Sequence, residues 1–550
     1  MTAQGRGPHR EGDEPKPMMN ASEKSDLSVV AMKSANNVDI SAAESMEPRD
    51  KAKENALQRT TYQTQGWDHV SPGLDRIRKI ATINPKERFT ALLHHVTPEL
   101  LAASYRALKR DAAPGIDGLT RQAYEKDLEA NLANLYTCVQ GGTYRALPSR
   151  RRMIPKSGGG ERPLGIASIE DKIVQRAIAT VLNAIYENDF VGFSYGFRPR
   201  RGQHDALDAL AVGITLTKVN WILKADIRSF FDTVDHQWLM RFIEHRIGDG
   251  RILRLIRKWL RAGVMDGSTL TATIRGTPQG SVISPLLANV YLHYSFDLWA
   301  QQWRSRHARG NVVIVRYADD IVVGFEHEYD AIAFHTGMRE RLERFALQVH
   351  PEKTRIVEFG RFAGERRARR GMRKPETFTF LGFVHVCGTS SNGKFMLLRR
   401  TRRDRMRATL QAIKEQLWRR MHDSIPENGR WLSSIMRGYF AYHAIPTNYS
   451  ALAAFRYHLI GIWRRTLRRR SQRDGSTWAR AYDLAARWLP EPRITHPWPH
   501  ERFTVNHPRW KPGGVSRRKP LFGGNHAVRE MRVDLSKSAD RGGFQTSPSC

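Results

Sequence analysis

Residues 311–325 read NVVIVRYADDIVVGF, two runs of β-branched residues separated by Tyr317-Ala318-Asp319-Asp320. Apolar runs of this length favour buried strands, and the polar break between them suits a hairpin turn. Such a turn holds two adjacent carboxylates at the rim of a sheet. Adjacent ionised carboxylates repel, so a partly buried pair calls for a neutralising cation. Mg²⁺ is the natural candidate, because it takes oxygen ligands and commonly joins one or two carboxylates to substrate phosphates. An ordinary solvated turn also accommodates Asp-Asp, and these four residues alone do not decide between the two.

A third carboxylate stands far upstream. In WILKADIRSFFDTVD (221–235) a strand-like apolar run ends at Asp226, and Phe230-Phe231-Asp232 lead into a helix-like segment. An Asp at a strand end beside the Asp319-Asp320 turn completes a three-carboxylate nest for two metal ions. Two-metal sites suit phosphoryl or nucleotidyl transfer. Taken singly, Asp226 reads as well as a helix cap or a surface carboxylate. Spacing in sequence does not establish proximity in space.

The joint pattern is more specific. RYADD follows DIRSFFD with TPQGSVISPLLANVYL (277–292) between them, and this order resembles the palm of a reverse transcriptase. More narrowly, the chain resembles bacterial group II intron-encoded reverse transcriptase/maturases from about residue 70 to about 500. The blocks that carry the likeness include PGIDGLT (114–120), RRMIPKSGGGERPLGIASIEDKIVQRAI (151–178) and SYGFRPRRGQHDAL (194–207). They continue through HPEKTRIVEFG (350–360), TFTFLGF (377–383) and MRGYFAYHAI (436–445).

The resemblance implies roles at matching positions. Asp226, Asp319 and Asp320 become the catalytic ligands of two Mg²⁺ ions, with Asp226 and Asp319 bridging them. Ile227 contributes a backbone carbonyl, and Phe231 packs under the sugar to exclude a 2′-hydroxyl, which would make the product DNA. Lys156 and Arg162 flank a fingertip hairpin, SGGGE, whose cations close over a triphosphate. Gln279 and Gly280 line the nucleotide pocket, and Leu381-Gly382-Phe383 forms the primer grip. Lys353 matches a basic position of less defined role. The implied partners are dNTPs, an RNA template, a DNA primer or target, and the host intron RNA.

Composition supports a polyanionic partner. The 550 residues carry a formal net charge of +34, which favours nucleic acid, with an anionic membrane surface as the competing reading. No apolar run reaches the ~18 residues of a spanning helix, so a soluble cytoplasmic protein is expected, nucleoid-associated when bound to DNA. Cys138, Cys387 and Cys550 are too few and too far apart for a disulfide framework or a structural zinc module.

The expected fold is α+β: a right-hand polymerase whose fingers and palm carry an antiparallel sheet, followed by an α-helical thumb, the maturase domain X. Residues 1–65 read as a disordered extension, 66–113 as a helical extension of the fingers, and 114–392 as fingers and palm. Residues 393–490 read as the thumb. From Lys394 to Arg473 there are 19 Lys/Arg against four Asp/Glu, interleaved with Trp418, Trp431, Tyr439, Tyr442, Tyr457 and Trp463. The 402–420 stretch sets Met406, Leu410, Ile413 and Leu417 on one helical face. The basic cluster GERRARRGMRK (364–374) reads as a loop near nucleic acid. Residues 491–550 read as a basic tail, DNA-binding or disordered, without an HNH endonuclease, so primers would come from elsewhere.

The activity this reading implies is RNA-directed DNA synthesis, joined to binding of the host intron RNA for splicing and target-primed mobility. Two rivals stay open. One is a related enzyme repurposed for defence or DNA repair, against which Ala318 weighs. The other is a polymerase-inactive splicing cofactor, against which the intact carboxylates weigh.

Overall fold

The computed structural model describes residues 72–155, 161–271, 274–470 and 476–506. The expected disordered extension, Lys156 and most of the C-terminal tail lie outside these residues.

A four-stranded antiparallel sheet organises the centre. Its strands lie in the order Val312–Tyr317, Asp320–Phe325, Trp221–Asp226 and Arg355–Glu358. The β-branched runs show no polar alternation because both faces of this sheet are covered. Leu223, Ala225, Ile314, Ile321 and Val323 belong to the larger core, with the helices Ile169–Asp189, His236–Glu244 and Glu328–Glu343. Alternate positions Ile222, Val313, Val315 and Val322 join a second core with the helix Gln203–Leu216. A period-two sheet has thus divided one apolar run between two cores.

A second sheet orders Glu161–Ile166, Ser149–Pro155, Val264–Asp266 and Thr269–Thr271. The first pair is antiparallel, with Pro155 opposite Glu161; the glycine-rich segment between them lies outside the described residues. The contact of Ser149 with Val264 is parallel, so this sheet is mixed. A third sheet, Phe395–Thr401, Phe383–Thr389 and Phe378–Phe380, adjoins the second core.

The helix Ser284–Leu292 starts with proline in its first turn, where the missing N–H costs nothing. It runs through a π turn, His293–Asp297, into Leu298–Arg306. The extra residue of a π turn re-aims side chains, and here it carries Asp297 into the interior.

The C-terminal helices Arg403–Arg419, Ile425–His443, Tyr449–Arg470 and Trp478–Trp488 share a core of their own. Leu410, Ile413 and Leu417 are buried with Met406 packed beside them, as their spacing requires. Helix Ile425–His443 opens with a capping box, Ser424 and Glu427 bonding each other's backbone. Trp463 is buried, whereas Trp418 and Tyr457 are mostly exposed.

Two expectations are corrected. GERRARRGMRK is not a free basic loop: residues Ala363–Arg369 form a helix, and Arg366, Arg367 and Arg370 all engage the buried carboxylate of Glu358. Its charge is partly spent within the protein. Nor does an unstructured tail begin at residue 491. The helix Pro499–Asn506 lies against Gln203–Leu216, where Phe503 enters the second core and Arg502 meets Asp205 and Asp208. Residues 491–506 are proline-rich and carry two Arg against two Glu. Besides Phe503 and Arg502, Thr495 and His496 hold the segment by donating their N–H groups to the Ala444 carbonyl, and the His496 ring stacks on His204. Phe503→Ala is expected to cost about 3–5 kcal/mol, as for other buried aromatic truncations; a thermal midpoint equal to wild type would show that this segment is not anchored.

Candidate active site

The three aspartates come together at one end of the central sheet. Asp226 ends its strand directly opposite Asp320, and Tyr317 pairs with Asp320 across a two-residue turn of Ala318 and Asp319. Directly opposed residues present their side chains on the same face. Asp226 and Asp320 therefore stand side by side, with Asp319 next to them in the turn.

Ammonium groups already meet this charge. Lys224 contacts Asp320, and Lys353 Nζ lies 3.2 Å from an Asp226 oxygen. Lys224 precedes Asp226 by two residues, which puts both on one strand face. Burial pulls Lys224 down to about 8, while the charges of Asp226 and Asp319 oppose that fall. Among the described residues no three His, Cys, Asp or Glu side chains already converge as a metal-ligand shell. The donor chemistry nevertheless fits Mg²⁺: carboxylate oxygens only, gathered where two cationic groups are already drawn.

The turn is held from beneath. Ala318 adopts φ +56°, a left-handed conformation that an L-residue occupies only under constraint. Arg316, two residues earlier, is fully buried, and each arm of its guanidinium is used. It donates to both oxygens of Asp297 at 2.6 and 2.5 Å, to Ser194 Oγ at 2.7 Å, to Asn289 Oδ1 at 3.2 Å, and to the Ala318 carbonyl at 3.1 Å. Asn289 in turn donates to the Gly196 carbonyl at 2.8 Å. A Cβ on Gly196 would fall 2.3 Å from the Ala318 nitrogen, so glycine is what lets this rail touch the turn. Burial pushes the Asp297 carboxyl up, and Arg316 pulls it back.

Between the strand Glu161–Ile166 and the turn at Pro278-Gln279, a cavity of about 210 Å³ brings together Phe231, Gln279, Gly165 and Arg275. Phe231 is half-buried, its ring 5.4 Å from Phe230 and 6.4 Å from Phe197. Its carbonyl accepts from Thr277 N at 2.7 Å. Ile227 is buried, one residue past Asp226. Gly280 has φ +107°, and a Cβ there would meet the Gly165 carbonyl at 2.6 Å. Its visible part is to let the TPQG turn press against the strand Glu161–Ile166. Arg162 lies in that strand opposite Ile154.

Leu381 and Gly382 form a two-residue turn with φ +45° and +83°, between Phe380 and its partner Phe383. Positive φ at both positions is the hairpin pattern whose twist matches its strands. Tyr442 Oη donates to the Leu381 carbonyl at 2.7 Å, and its ring stacks on Phe383 at 5.6 Å. Phe383 is fully buried. Of the three expected grip residues, Leu381 and Gly382 stand at the tip of the turn and Phe383 is buried behind them.

Sequence reasoning missed Lys224, Arg316, Asp297, Ser194 and Asn289, and gave Lys353 little weight. Lys224 and Arg316 did leave a signal, since each is a charge inside a strand that is otherwise apolar. Asp297 left none, because its inward aim depends on the π turn.

An antiparallel sheet carrying a carboxylate at a strand end opposite an Asp-Asp hairpin is an arrangement suited to metal-assisted nucleotidyl transfer. The family model described as reverse transcriptase (RNA-dependent DNA polymerase) matches residues 154–385. Protein YkfC of Escherichia coli K12 is 37% identical over 318 residues, covering 51% of this chain and 83% of that protein. Group II intron-encoded protein LtrA of Lactococcus lactis subsp. cremoris is 35% identical over 222 residues, 40% of this chain and 37% of that protein. Nuclear intron maturase 3, mitochondrial, of Arabidopsis thaliana is 28% identical over 183 residues, 29% of this chain and 25% of that protein. The chain belongs to the reverse transcriptase family, in its group II intron-encoded reverse transcriptase/maturase branch. It spans most of YkfC but little more than a third of LtrA. No helix among the described residues is long and apolar enough to cross a membrane.

Two outcomes test this geometry. Arg316→Lys keeps the charge but loses the fork, and it is expected to lower kcat about 100-fold, the penalty of a misplacement near 1 Å, with nucleotide KM little changed; equal kcat in steady-state primer extension would remove Arg316 from the argument. Lys224→Met leaves the carboxylates facing one another. Its thermal midpoint is expected to fall in chelating buffer and to recover when millimolar Mg²⁺ is added. A midpoint indifferent to Mg²⁺ would contradict cation binding at this cluster.

Proposed function

We propose that this chain copies RNA into DNA at the Asp226–Asp319–Asp320 cluster and binds its host intron RNA through the basic helical module. The observation that carries the reading is the register that sets Asp226 opposite Asp320, with Asp319 in the adjoining turn. Asp226, Asp319 and Asp320 would hold two Mg²⁺ ions, whose chemistry is to activate a primer 3′-hydroxyl and to neutralise the leaving pyrophosphate.

The other residues do work of their own. The cavity bordered by Phe231 and Gln279 receives the incoming dNTP, with the ring of Phe231 against the sugar where a 2′-hydroxyl would project. Phe197 and Phe230 brace that ring from the side, so it cannot swing away cheaply. Lys156 and Arg162, from the hairpin of the second sheet, supply cations to the triphosphate. Gly280 keeps that sheet close to the pocket, and Ile227 offers its carbonyl. Leu381 and Gly382 steady the primer end, tied through Tyr442 to the helix Ile425–His443. In this reading the second sheet is the fingers, the central sheet the palm, and the helices Arg403–Arg419 to Trp478–Trp488 the thumb or domain X.

RNA binding follows from charge. Arg and Lys of the helical module give salt-dependent phosphate contacts, and the exposed Trp418 and Tyr457 can stack on unpaired bases. Binding the folded intron would stabilise it for splicing, and the same complex would then prime reverse transcription at a DNA target.

Primer extension on an RNA template with Mg²⁺ is the direct assay. Asp319→Ala and Asp226→Ala are each expected to reduce extension by at least about 1,000-fold, the scale of losing a metal-held transition-state contact. Wild-type protein no more active than these variants would sink the polymerase reading. Phe231→Ala should admit ribonucleotides, raising rNTP incorporation relative to dNTP; an unchanged ratio would return Phe231 to a packing role.

A further inference from the structure

The helical module holds a second cavity, of about 470 Å³, that shares no residue with the catalytic cleft. It opens between helices Ile425–His443 and Trp478–Trp488 and is lined by Arg430, Ser433, Ser434, Arg437, Arg487 and Trp488. The first four recur at i, i+3, i+4 and i+7, one stripe of a single helix. Arg487 and Trp488 face them from the other.

The guanidiniums here have no partner in direct contact, although the charge of Arg430 is felt at Glu427. Arg430, Arg437 and Arg487 are exposed, and none makes a hydrogen bond or ion pair among the described residues. This differs from Arg366, Arg367 and Arg370, which are committed to Glu358. Ser433 is buried, and its hydroxyl makes no hydrogen bond among the described residues. The indole of Trp488 is fixed rather than free: Gly429 lies so close that a Cβ would meet the ring at 2.6 Å. At about 100° per residue, the arginine stripe sits roughly 130° around the helix from Tyr442, which faces the Leu381 turn. The cavity therefore looks away from the primer end.

We infer that this cavity is a nucleotide-binding subsite for RNA, taking one unpaired nucleotide and its flanking phosphates, apart from the template–primer path. Three guanidiniums match phosphodiester oxygens, two hydroxyls can meet a phosphate or a 2′-hydroxyl, and a clamped indole gives a base a flat apolar edge. The cavity exceeds what a lone phosphate fills. A base inside a duplex cannot enter it without leaving its stack, so an unpaired nucleotide is selected. The inference rests on the proposed RNA-binding role of the module, but not on polymerase activity.

The test uses the full-length chain and three labelled probes: an RNA hairpin with a single-nucleotide bulge, the same hairpin without it, and the bulged hairpin as DNA. Arg437→Ala/Arg487→Ala and the milder Arg437→Lys/Arg487→Lys are compared with wild type for binding across a salt series. The double alanine variant is expected to bind the bulged RNA at least about 10-fold more weakly, with a salt slope shallower by about 2. Its primer extension on a pre-annealed template–primer should equal wild type, and the lysine variant should recover part of the salt slope but not the preference for the bulge. Unchanged binding and slope in the alanine variant would overturn the subsite. So would equal loss on all three probes, which marks a general cationic surface. Loss of primer extension in step with binding would place the residues on the template path instead. A wild-type chain that binds the bulged RNA but extends no primer would refute the polymerase reading and leave this one standing.

Discussion

The ion pair between Arg316 and Asp297 is the interaction on which the catalytic end of the molecule depends. Both side chains are wholly buried, so neither can fall back on water. A buried pair earns no stability by Coulomb attraction alone, because desolvation costs several kcal/mol per ion. Here the remaining guanidinium donors are satisfied by Ser194, Asn289 and the Ala318 carbonyl, which makes the arrangement tenable. The pair fixes three chain segments against one another: the hairpin strand, the π-turned helix and the 193–197 rail. The left-handed backbone at Ala318 is stable only because this junction over-determines it. Position at the turn is bought with polar groups that the fold could otherwise have made apolar.

Electrostatics outside the junction follow the opposite logic. The three aspartates gather at a sheet end that is open to solvent on one side, and Lys224 and Lys353 offset their repulsion. The sheet thus balances a buried, fully paired charge below the turn against a partly open, exchangeable charge above it. Rigidity belongs to the first and ligand exchange to the second. Farther away, the same chain spends some arginines on Glu358 and leaves others without partners, so net charge alone does not map the nucleic-acid surface.

Much of this was legible in the sequence, for physical reasons that differ by element. The hairpin strands were legible because β-branched runs broken by a polar pair have few other solutions. The helix Arg403–Arg419 was legible from its spacing. The convergence of Asp226 on Asp320 was not, since it depends on which strands pair; only likeness to a family supplied it. The burial of Phe383 was not legible, because a motif reports neighbours in sequence whereas its ring packs on Tyr442, far downstream. Asp297 was invisible, its direction being set by one extra residue in a helix. The segment 491–506 looked like a tail because its attachment runs through scattered contacts, Phe503 and Arg502 at the second core and Thr495 and His496 on the Ala444 carbonyl, that leave no periodic pattern.

That attachment has a consequence for how the chain comes off the ribosome. Phe503 shares a core with Val313 and Val315, strands of the sheet that bears the aspartates. Arg502 completes the pairing of Asp208, whose other partner is Arg399. The second core therefore stays open at one corner until residues near 503 have been made, long after the strands themselves emerge. Contacts of such long sequence separation form late. The nascent protein carries its carboxylates and its basic helices for some time before the layer behind the sheet is sealed by the segment around Phe503.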